Sequence, residues 1–383
     1  MGAAGSPGPI RKPLVGETRI FDTTPIVDLY VKVDGIDRRL RLKLESANPF
    51  GSLKDRIAAS LIDHVADRID KEIGIIESTS GNLGVAMSAE CGARGIPLNA
   101  VVDPRTSSFF VDRMRGLGAR VTVVDEPDFS GGFLLNRIRY VREQLSARPG
   151  LVWTNQYRSE ANPNAHFNTT APELRAQVPG PATILVPVST GGTLAGLSRF
   201  VGSTGAAWRL VGVDVHGSAA LGGDPSRRLL SGIGASCSSN FLDPATTEAL
   251  HVDVTEAIST CLWLSEQAGI GVGGSSGATV AAALRMFRQN PRTDELICLC
   301  PDGADRYRST IYRADWRAAH GITGVGIGAG VELTRGRYPD PAEQHGKRPL
   351  RTRTGDHVRT AARAVDAVRL DQGGPGTPGG PVP

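Results

Sequence analysis

Neither sign of charge dominates this chain: 43 Lys and Arg stand against 39 Asp and Glu, a formal charge of +4 over 383 residues. Much of the excess sits in the tail, at Arg348, Arg351, Arg353, Arg359, Arg363 and Arg369, so the body is near neutral. A nucleic-acid-binding face neutralises phosphates with clustered Lys and Arg, and none is expected on the globular part. Cysteine is scarce. Cys91, Cys237, Cys261, Cys298 and Cys300 are odd in number and lack framework spacing, which argues against a disulfide scaffold. With no apolar leader at the start, this is the pattern of a reduced, cytoplasmic protein. No apolar run reaches the length that spans a bilayer, so no membrane partner is expected. Cys298 and Cys300 lie in an apolar run, 296–300, that reads as a buried strand, so they are core thiols and no metal site is inferred.

What is present suits about two α/β domains. Residues 1–12 are rich in Gly, Pro and Ala and read as disordered. Two β-rich runs, 26–33 and 39–44, flank Asp34-Gly35, a hairpin signal. Apolar strands at 74–77, 98–102 and 120–124 then alternate with helical stretches at 83–91, 110–117 and 133–145. A second series begins at Val152 and continues through 183–188, 209–215 and 296–300. Such alternation predicts parallel sheets with helices on both faces and a ligand cleft at the strand carboxyl ends. The expected division is a large domain of 13–46 with 152–318, a small domain of 47–151, and a Gly/Pro/Arg-rich, mostly disordered tail of 319–383. Within that tail Val358, Ala361, Ala362, Val365 and Val368 share one face of a short helical pattern.

The organising stretch is Asn48-Pro-Phe-Gly-Ser-Leu-Lys54-Asp-Arg56, followed by the helical spacing of Ile57, Ala58, Leu61, Ile62 and Val65. Lys54 therefore sits at a helix N-terminus, where the dipole is positive and an ammonium is misplaced. A lysine with a depressed pKa is what Schiff-base chemistry requires; the plain alternative is a surface lysine in a capped turn.

Three glycine- and hydroxyl-rich turns each lead into a helix. Ser78-Thr79-Ser80-Gly81-Asn82 follows a strand and offers N–H groups and hydroxyls to an anion, though alone it could be an N-capped turn. Ser189-Thr190-Gly191-Gly192-Thr193 follows the strongest buried strand and is the best phosphate cradle, with no Walker lysine. Gly273-Gly274-Ser275-Ser276-Gly277 also fits the G-x-S-x-G nucleophile elbow, and Asp302 then His320 complete a hydrolase order on paper. Gly324-Val-Gly326-Ile-Gly328 matches a loose dinucleotide fingerprint without a strand before it.

Taken together these segments, over residues 24–316, resemble the fold-type II pyridoxal-phosphate enzymes of the cysteine synthase family. Ser231-Gly232-Ile-Gly-Ala and Pro301-Asp-Gly-Ala-Asp-Arg-Tyr307 resemble further family motifs, with Ser189 and Ala304 departing from the usual glycines. The resemblance implies an α/β fold of two parallel-sheet domains with pyridoxal 5'-phosphate in the cleft between them, and a homodimer. It implies Lys54 as cofactor lysine and catalytic base. Asn82 would meet the cofactor's 3-hydroxyl, residues 189–193 its phosphate and Ser275 its ring nitrogen, while Ser78, Thr79, Ser80 and Gly81 would hold the substrate carboxylate. A neutral hydroxyl on that nitrogen leaves the ring a weaker electron sink and favours loss of a β-substituent.

Further matches narrow the resemblance within that family: Leu83, Val102-Asp-Pro104, Glu126-Pro-Asp128 with Gly131-Gly132, Asn155-Gln156-Tyr157 and Gly232-Ile-Gly-Ala-Ser236. They are similar to the N-(2-amino-2-carboxyethyl)-L-glutamate synthases, which serve 2,3-diaminopropionate supply for siderophores and peptide antibiotics. That implies O-phospho-L-serine as donor and the amine of L-glutamate as nucleophile, with Gln156 and Gly232 also at the substrates. A leaving phosphate and a dicarboxylate both need cations or donors, which Arg137, Tyr157 and Ser189 would supply; the plain alternative for Arg137 is a solvent-facing helix arginine. A cysteine synthase using sulfide is the alternative, and an inactive cofactor binder another.

Overall fold

The computed structural model describes residues 23–79, 81–129 and 131–336. The two β-rich runs form β1 (Ile26–Val33) and β2 (Ile36–Leu44), joined at Asp34 and Gly35 with φ of 48° and 82°. Two successive positive φ values are what a two-residue hairpin needs to match strand twist.

The first α/β series contains α1 (Lys54–His64), β3 (Ile75–Ser78), α2 (Asn82–Arg94), β4 (Leu98–Val102), α3 (Ser108–Gly116), β5 (Arg120–Val123), α4 (Leu134–Ala147) and β6 (Val152–Trp153). Its sheet is parallel with order β5-β4-β3-β6. The sequence reading opens the second series at Val152. In the structure that strand instead pairs with β3, Ile75 against Val152 and Ile76 against Trp153, and closes the first sheet. Two residues are too short a run for sequence pattern to assign a partner.

The chain continues through α5 (Ala161–Ala165), a π turn at His166–Thr170, α6 (Ala171–Gln177), β7 (Ala182–Pro187), α7 (Gly192–Thr204), β8 (Trp208–Val215), β9 (Ala249–Val252), α8 (Val254–Ala268), α9 (Gly274–Gln289), β10 (Glu295–Cys300), α10 (Ala314–Ala319) and β11 (Val331–Arg335). The second sheet has order β11-β1-β2-β10-β7-β8-β9, parallel from β2 onward and antiparallel at the β1 and β11 edge. β10 lies in its middle, and Leu296 to Cys300 are all buried, as a strand covered on both faces requires. α9 packs against α8 so closely that a Cβ on Gly277 would stand 2.2 Å from Ala257 O.

The expected tail begins too early. Residues up to 336 are described, and β11 lays Val331 and Leu333 against the core beside β1, with Asp34 N–H donating to Gly330 O at 2.7 Å. Two apolar residues at alternate positions are enough to seat an edge strand. Residues 1–12 and the 358–368 pattern lie outside the described residues. All five cysteines are free, and no described helix is long and apolar enough to cross a membrane.

The carboxyl ends of the two sheets meet. Leu53 N–H donates to Pro301 O at 2.9 Å, Ser52 bridges Asp302, and Asn162 donates both to Gln156 O and to Thr190 Oγ1.

Candidate active site

Lys54 is the first residue of α1 and stays partly accessible. Desolvation pulls its ammonium down to about 8, against the opposing attraction of Asp302. The helix is anchored two residues further on by a buried ionic cluster. Arg56 donates to Glu45 Oε2 at 2.8 Å and Glu173 Oε2 at 2.7 Å, while Lys43 bonds Glu173 and, at 2.6 Å, Thr24 O.

Asn82 opens α2, and both ends of its amide are fixed. Its Nδ2 donates to Asp302 Oδ2 at 2.6 Å, and Arg306 Nε donates to its Oδ1 at 2.5 Å. The Tyr307 hydroxyl donates to the same Asp302 oxygen at 2.5 Å, leaving buried Asp302 Oδ1 without a partner. A Cβ on Gly273 would stand 2.0 Å from Asp302 Oδ1, so that glycine makes room for the carboxylate. Before α2, Thr79 Oγ1 accepts from Gly84 N–H at 2.9 Å, Ser78 O accepts from Gln156 Nε2 at 2.7 Å, and Gly81 is the N-cap. Ser80 lies outside the described residues.

At the N-terminus of α7, Gly191 has φ 89°, and a Cβ there would be 2.1 Å from Ser239 Oγ. A Cβ on Gly192 would overlap Asn162 at 2.1 Å. Thr193 Oγ1 lies 3.1 Å from Nε2 of His166, whose Nδ1 is 2.9 Å from Thr170 Oγ1. Burial, helped by the charges of Lys54 and Arg56, holds that imidazole neutral. Ser189 Oγ donates to Gly234 O at 3.1 Å and so ties the cradle to the loop at Gly232, where φ is 82°. Ser275 sits in the first turn of α9 and is buried.

Arg137 departs furthest from an ordinary helix arginine. It is 5% exposed, faces Asp103 with Nε 3.4 Å from Oδ2, and has no hydrogen-bond partner for Nε or Nη1. Its charge is felt by Tyr157, whose phenol is pushed up chiefly by burial.

The hydrolase order does not assemble. His320 caps α10, bonds Trp316 O at 2.8 Å and stacks on the Trp316 ring, whereas Asp302 is taken up by Asn82 and Tyr307. Residues 324–328 form no nucleotide turn. They lie over α8 and α9, with Gly326 N–H donating to Ser259 Oγ, beside a hollow of about 340 Å³ away from Lys54.

Residues 18–302 match the family described as pyridoxal-phosphate dependent enzyme. The chain belongs to that family. Among curated relatives it is similar to the N-(2-amino-2-carboxyethyl)-L-glutamate synthase of Ralstonia nicotianae, 38% identical over 77% of this chain and 88% of the relative. The enzyme of that name from Cupriavidus metallidurans is 37% identical over 77% of this chain and 89% of its own. Among solved structures it is similar to the O-acetylserine dependent cystathionine beta-synthase from Helicobacter pylori, with TM-score 0.69 and 29% identity over 76% of this chain and 96% of that one. O-ureido-L-serine synthase gives TM-score 0.69 and 27% identity over 78% and 96%.

The residues fit the cofactor. Pyridoxal phosphate presents an aldehyde, a ring hydroxyl, a ring nitrogen and a phosphate dianion. Lys54 supplies a depressed amine and Asn82 a second, free Nδ2 hydrogen. The α7 N-terminus supplies N–H groups and hydroxyls on a turn whose Gly191 and Gly192 pack too closely on Ser239 and Asn162 for any Cβ, and Ser275 supplies a buried hydroxyl.

Several residues of the site escape a sequence reading. Asp302 and Arg306 lie in a motif noted above, but nothing in it points to Asn82. Asn162 and His166 lie in short helical segments with no local signal for the cradle they support.

Proposed function

We propose that the chain catalyses β-replacement on O-phospho-L-serine by the amine of L-glutamate, giving N-(2-amino-2-carboxyethyl)-L-glutamate and phosphate. The Cβ–O bond breaks, a Cβ–N bond forms, and the amine gives up one proton. Pyridoxal phosphate, when bound, supplies the electron sink that labilises the Cα proton and expels the β-substituent. Lys54 holds the cofactor aldehyde, and its nitrogen accepts the Cα proton and later returns it. Thr190, Gly191, Gly192 and Thr193 take the cofactor phosphate through N–H groups and hydroxyls, so no cation is spent there. Ser275 meets the ring nitrogen and Asn82 the ring hydroxyl. Thr79 and Gly81, with Ser78 and Ser80, hold the substrate carboxylate at the head of α2.

The observation that carries the reading is Arg137: a buried guanidinium near Tyr157 that faces Asp103 through Nε yet has no hydrogen bond at Nε or Nη1. Sulfide with a leaving acetate needs no such group, whereas a leaving phosphate or a dicarboxylate nucleophile does. The names of the curated relatives support the same choice. Supply of 2,3-diaminopropionate for a siderophore or peptide antibiotic, a cytoplasmic site and a homodimer belong to this reading.

The test incubates the cofactor-loaded protein with O-phospho-L-serine or O-acetylserine and either L-glutamate or sulfide, and weighs the products. The carbon–nitrogen adduct with phosphate release is the expected result. Cysteine as the dominant product, with O-acetylserine the better donor, would replace this reading by a cysteine synthase.

A further inference from the structure

The side chains that bond the Thr190 and Thr193 hydroxyls both come from one short segment, α5 and the π turn that continues it. Asn162 and His166 stand four residues apart there, both with no exposed surface, and so share a face. α7 comes close enough to meet both. A Cβ on Gly196 would stand 2.4 Å from Pro163 O and 2.7 Å from His166 Cβ, so that glycine sets the approach.

The hydrogens at His166 can be accounted for one by one. The ring is buried and neutral, and neither of its hydrogen-bond partners is a carboxylate, so one nitrogen carries a proton and the other accepts. Nδ1 is 2.9 Å from Thr170 Oγ1, and Nε2 is 3.1 Å from Thr193 Oγ1. Thr170 decides between the two tautomers. Its side chain is fully buried and, among the described residues, its hydroxyl has no hydrogen-bond partner except Nδ1. A proton on Nδ1 would leave the Thr170 hydrogen without an acceptor, an expensive omission away from water. Nδ1 therefore accepts from Thr170, and Nε2–H donates to Thr193 Oγ1. The hydrogen of the Thr193 hydroxyl is left over, because His166 is the only described partner of that oxygen.

Asn162 does the same for Thr190. Its Nδ2 donates to Gln156 O at 2.7 Å, a carbonyl that can only accept, and this fixes which way the amide faces. The second Nδ2 hydrogen goes to Thr190 Oγ1 at 3.1 Å, and Gly192 N–H reaches the same oxygen at 3.4 Å. Both described partners of the Thr190 hydroxyl are thus donors, and its hydrogen is left over too. Ser189 is set the opposite way, with its hydrogen spent on Gly234 O at 3.1 Å.

We propose that Asn162 and His166 are positioning residues for the cofactor phosphate: they occupy the lone pairs of Thr190 and Thr193, so both hydroxyls meet the phosphate as donors and the cradle selects a dianion. This rests on the assignment of residues 190–193 to the phosphate made above. In the reverse setting the same two oxygens would turn lone pairs on the dianion. A cradle with no cation among its side chains has only the direction of its hydrogens to prevent that.

Two measurements test it. In the cofactor-loaded protein with ring-15N histidine, long-range proton–nitrogen correlation reports which nitrogen of each imidazole is protonated, and His166→Gln identifies the His166 signal by its loss. The proton is expected on Nε2; a proton on Nδ1 overturns the proposal. The second measurement is the phosphate preference, the affinity for pyridoxal 5'-phosphate over that for pyridoxal in fluorescence titrations of the apoprotein. His166→Leu is expected to lower it about tenfold, the worth of a charge-assisted hydrogen bond. His166→Gln, whose amide can still donate to Thr193, should keep most of it. Asn162→Asp, which turns the donor at Thr190 into an acceptor, should lower it at least as much as His166→Leu. Thr170→Val keeps the imidazole but removes what fixes its proton, and should show part of the loss together with a mixed ring signal, whether or not His166→Leu folds.

A merely structural histidine is told apart by the Thr193→Val background, where His166→Leu should cost no further phosphate preference. An undiminished loss in that background overturns the role given to His166. An unchanged preference in Thr193→Val by itself would remove the phosphate from residues 190–193 instead, while the ring signal still judges the direction of the hydrogens.

Discussion

Asn82 Nδ2 donates to Asp302 Oδ2 at 2.6 Å, joining the head of α2 on one sheet to the carboxyl end of β10 on the other. Arg306 holds the opposite end of the same amide, so its orientation is fixed and its remaining hydrogen has one direction left. Asp302→Ala removes a charge-assisted acceptor whose loss costs roughly 1.5–3 kcal/mol. Cofactor affinity, measured by fluorescence titration of the apoprotein, is expected to weaken by about tenfold to a hundredfold. An affinity equal to that of the wild type would show that Asp302 does not position Asn82.

Lys54 should be the most acidic lysine of the apoprotein. Acylation at limiting reagent, read by mass spectrometry, is expected to give a midpoint near pH 8 for Lys54. Surface lysines should follow at about 10.4. Because the charge of Asp302 raises the Lys54 pKa, Asp302→Asn should move the midpoint lower still. A midpoint with the surface lysines would mean that the ammonium is not desolvated.

Arg137→Ala should damage turnover more than loading. Its nitrogens have no duty to the cofactor cradle, so affinity for pyridoxal phosphate should stay within about twofold, while kcat/KM for O-phospho-L-serine falls by roughly a hundredfold or more. Equal losses in both would reduce Arg137 to a structural partner of Asp103.

Much of this was legible in the chain. The lysine ahead of an apolar helical face, the hairpin at Asp34-Gly35 and the glycine-rich turns before α2, α7 and α9 are local patterns, and each is where expected. What was not legible is long-range. Arg137 fits the spacing of a solvent-facing helix residue, and nothing local announces that it is buried against Asp103 from the loop after β4. β6 and β11 were misplaced because short edge strands are defined by their partners, not by their own composition.

Glu77 gives a pH signature. It is fully buried on β3, accepts from Thr154 Oγ1 at 2.5 Å, and burial pushes its carboxyl up to about 7. A folded pKa above the unfolded one means that its contribution is fully present below about 4.5 and is lost as pH rises through about 7. Glu77→Gln, which cannot ionise, should therefore gain on the wild type by about 3 kcal/mol between those limits. Parallel urea-derived stability curves for the two proteins from pH 4.5 to 8 would mean that Glu77 titrates normally.

The cluster behind Lys54 offers the sharpest stability test. Arg56 is buried and bidentate toward Glu45, with a further bond to Glu173, while Lys43 serves Glu173 from the other side. Removing Arg56 leaves Glu45, which has no exposed surface, hydrogen-bonded among the described residues by the neutral donors Thr24 and Asn48. An unpaired buried charge of this kind costs about 3–5 kcal/mol, so Arg56→Met should lower stability by that amount in urea unfolding. Arg56→Lys should recover little, because an ammonium cannot make the two parallel bonds to Glu45 and still reach Glu173. A loss below about 1 kcal/mol for Arg56→Met would mean that Glu45 becomes protonated without cost, and that α1 is held by its apolar face alone.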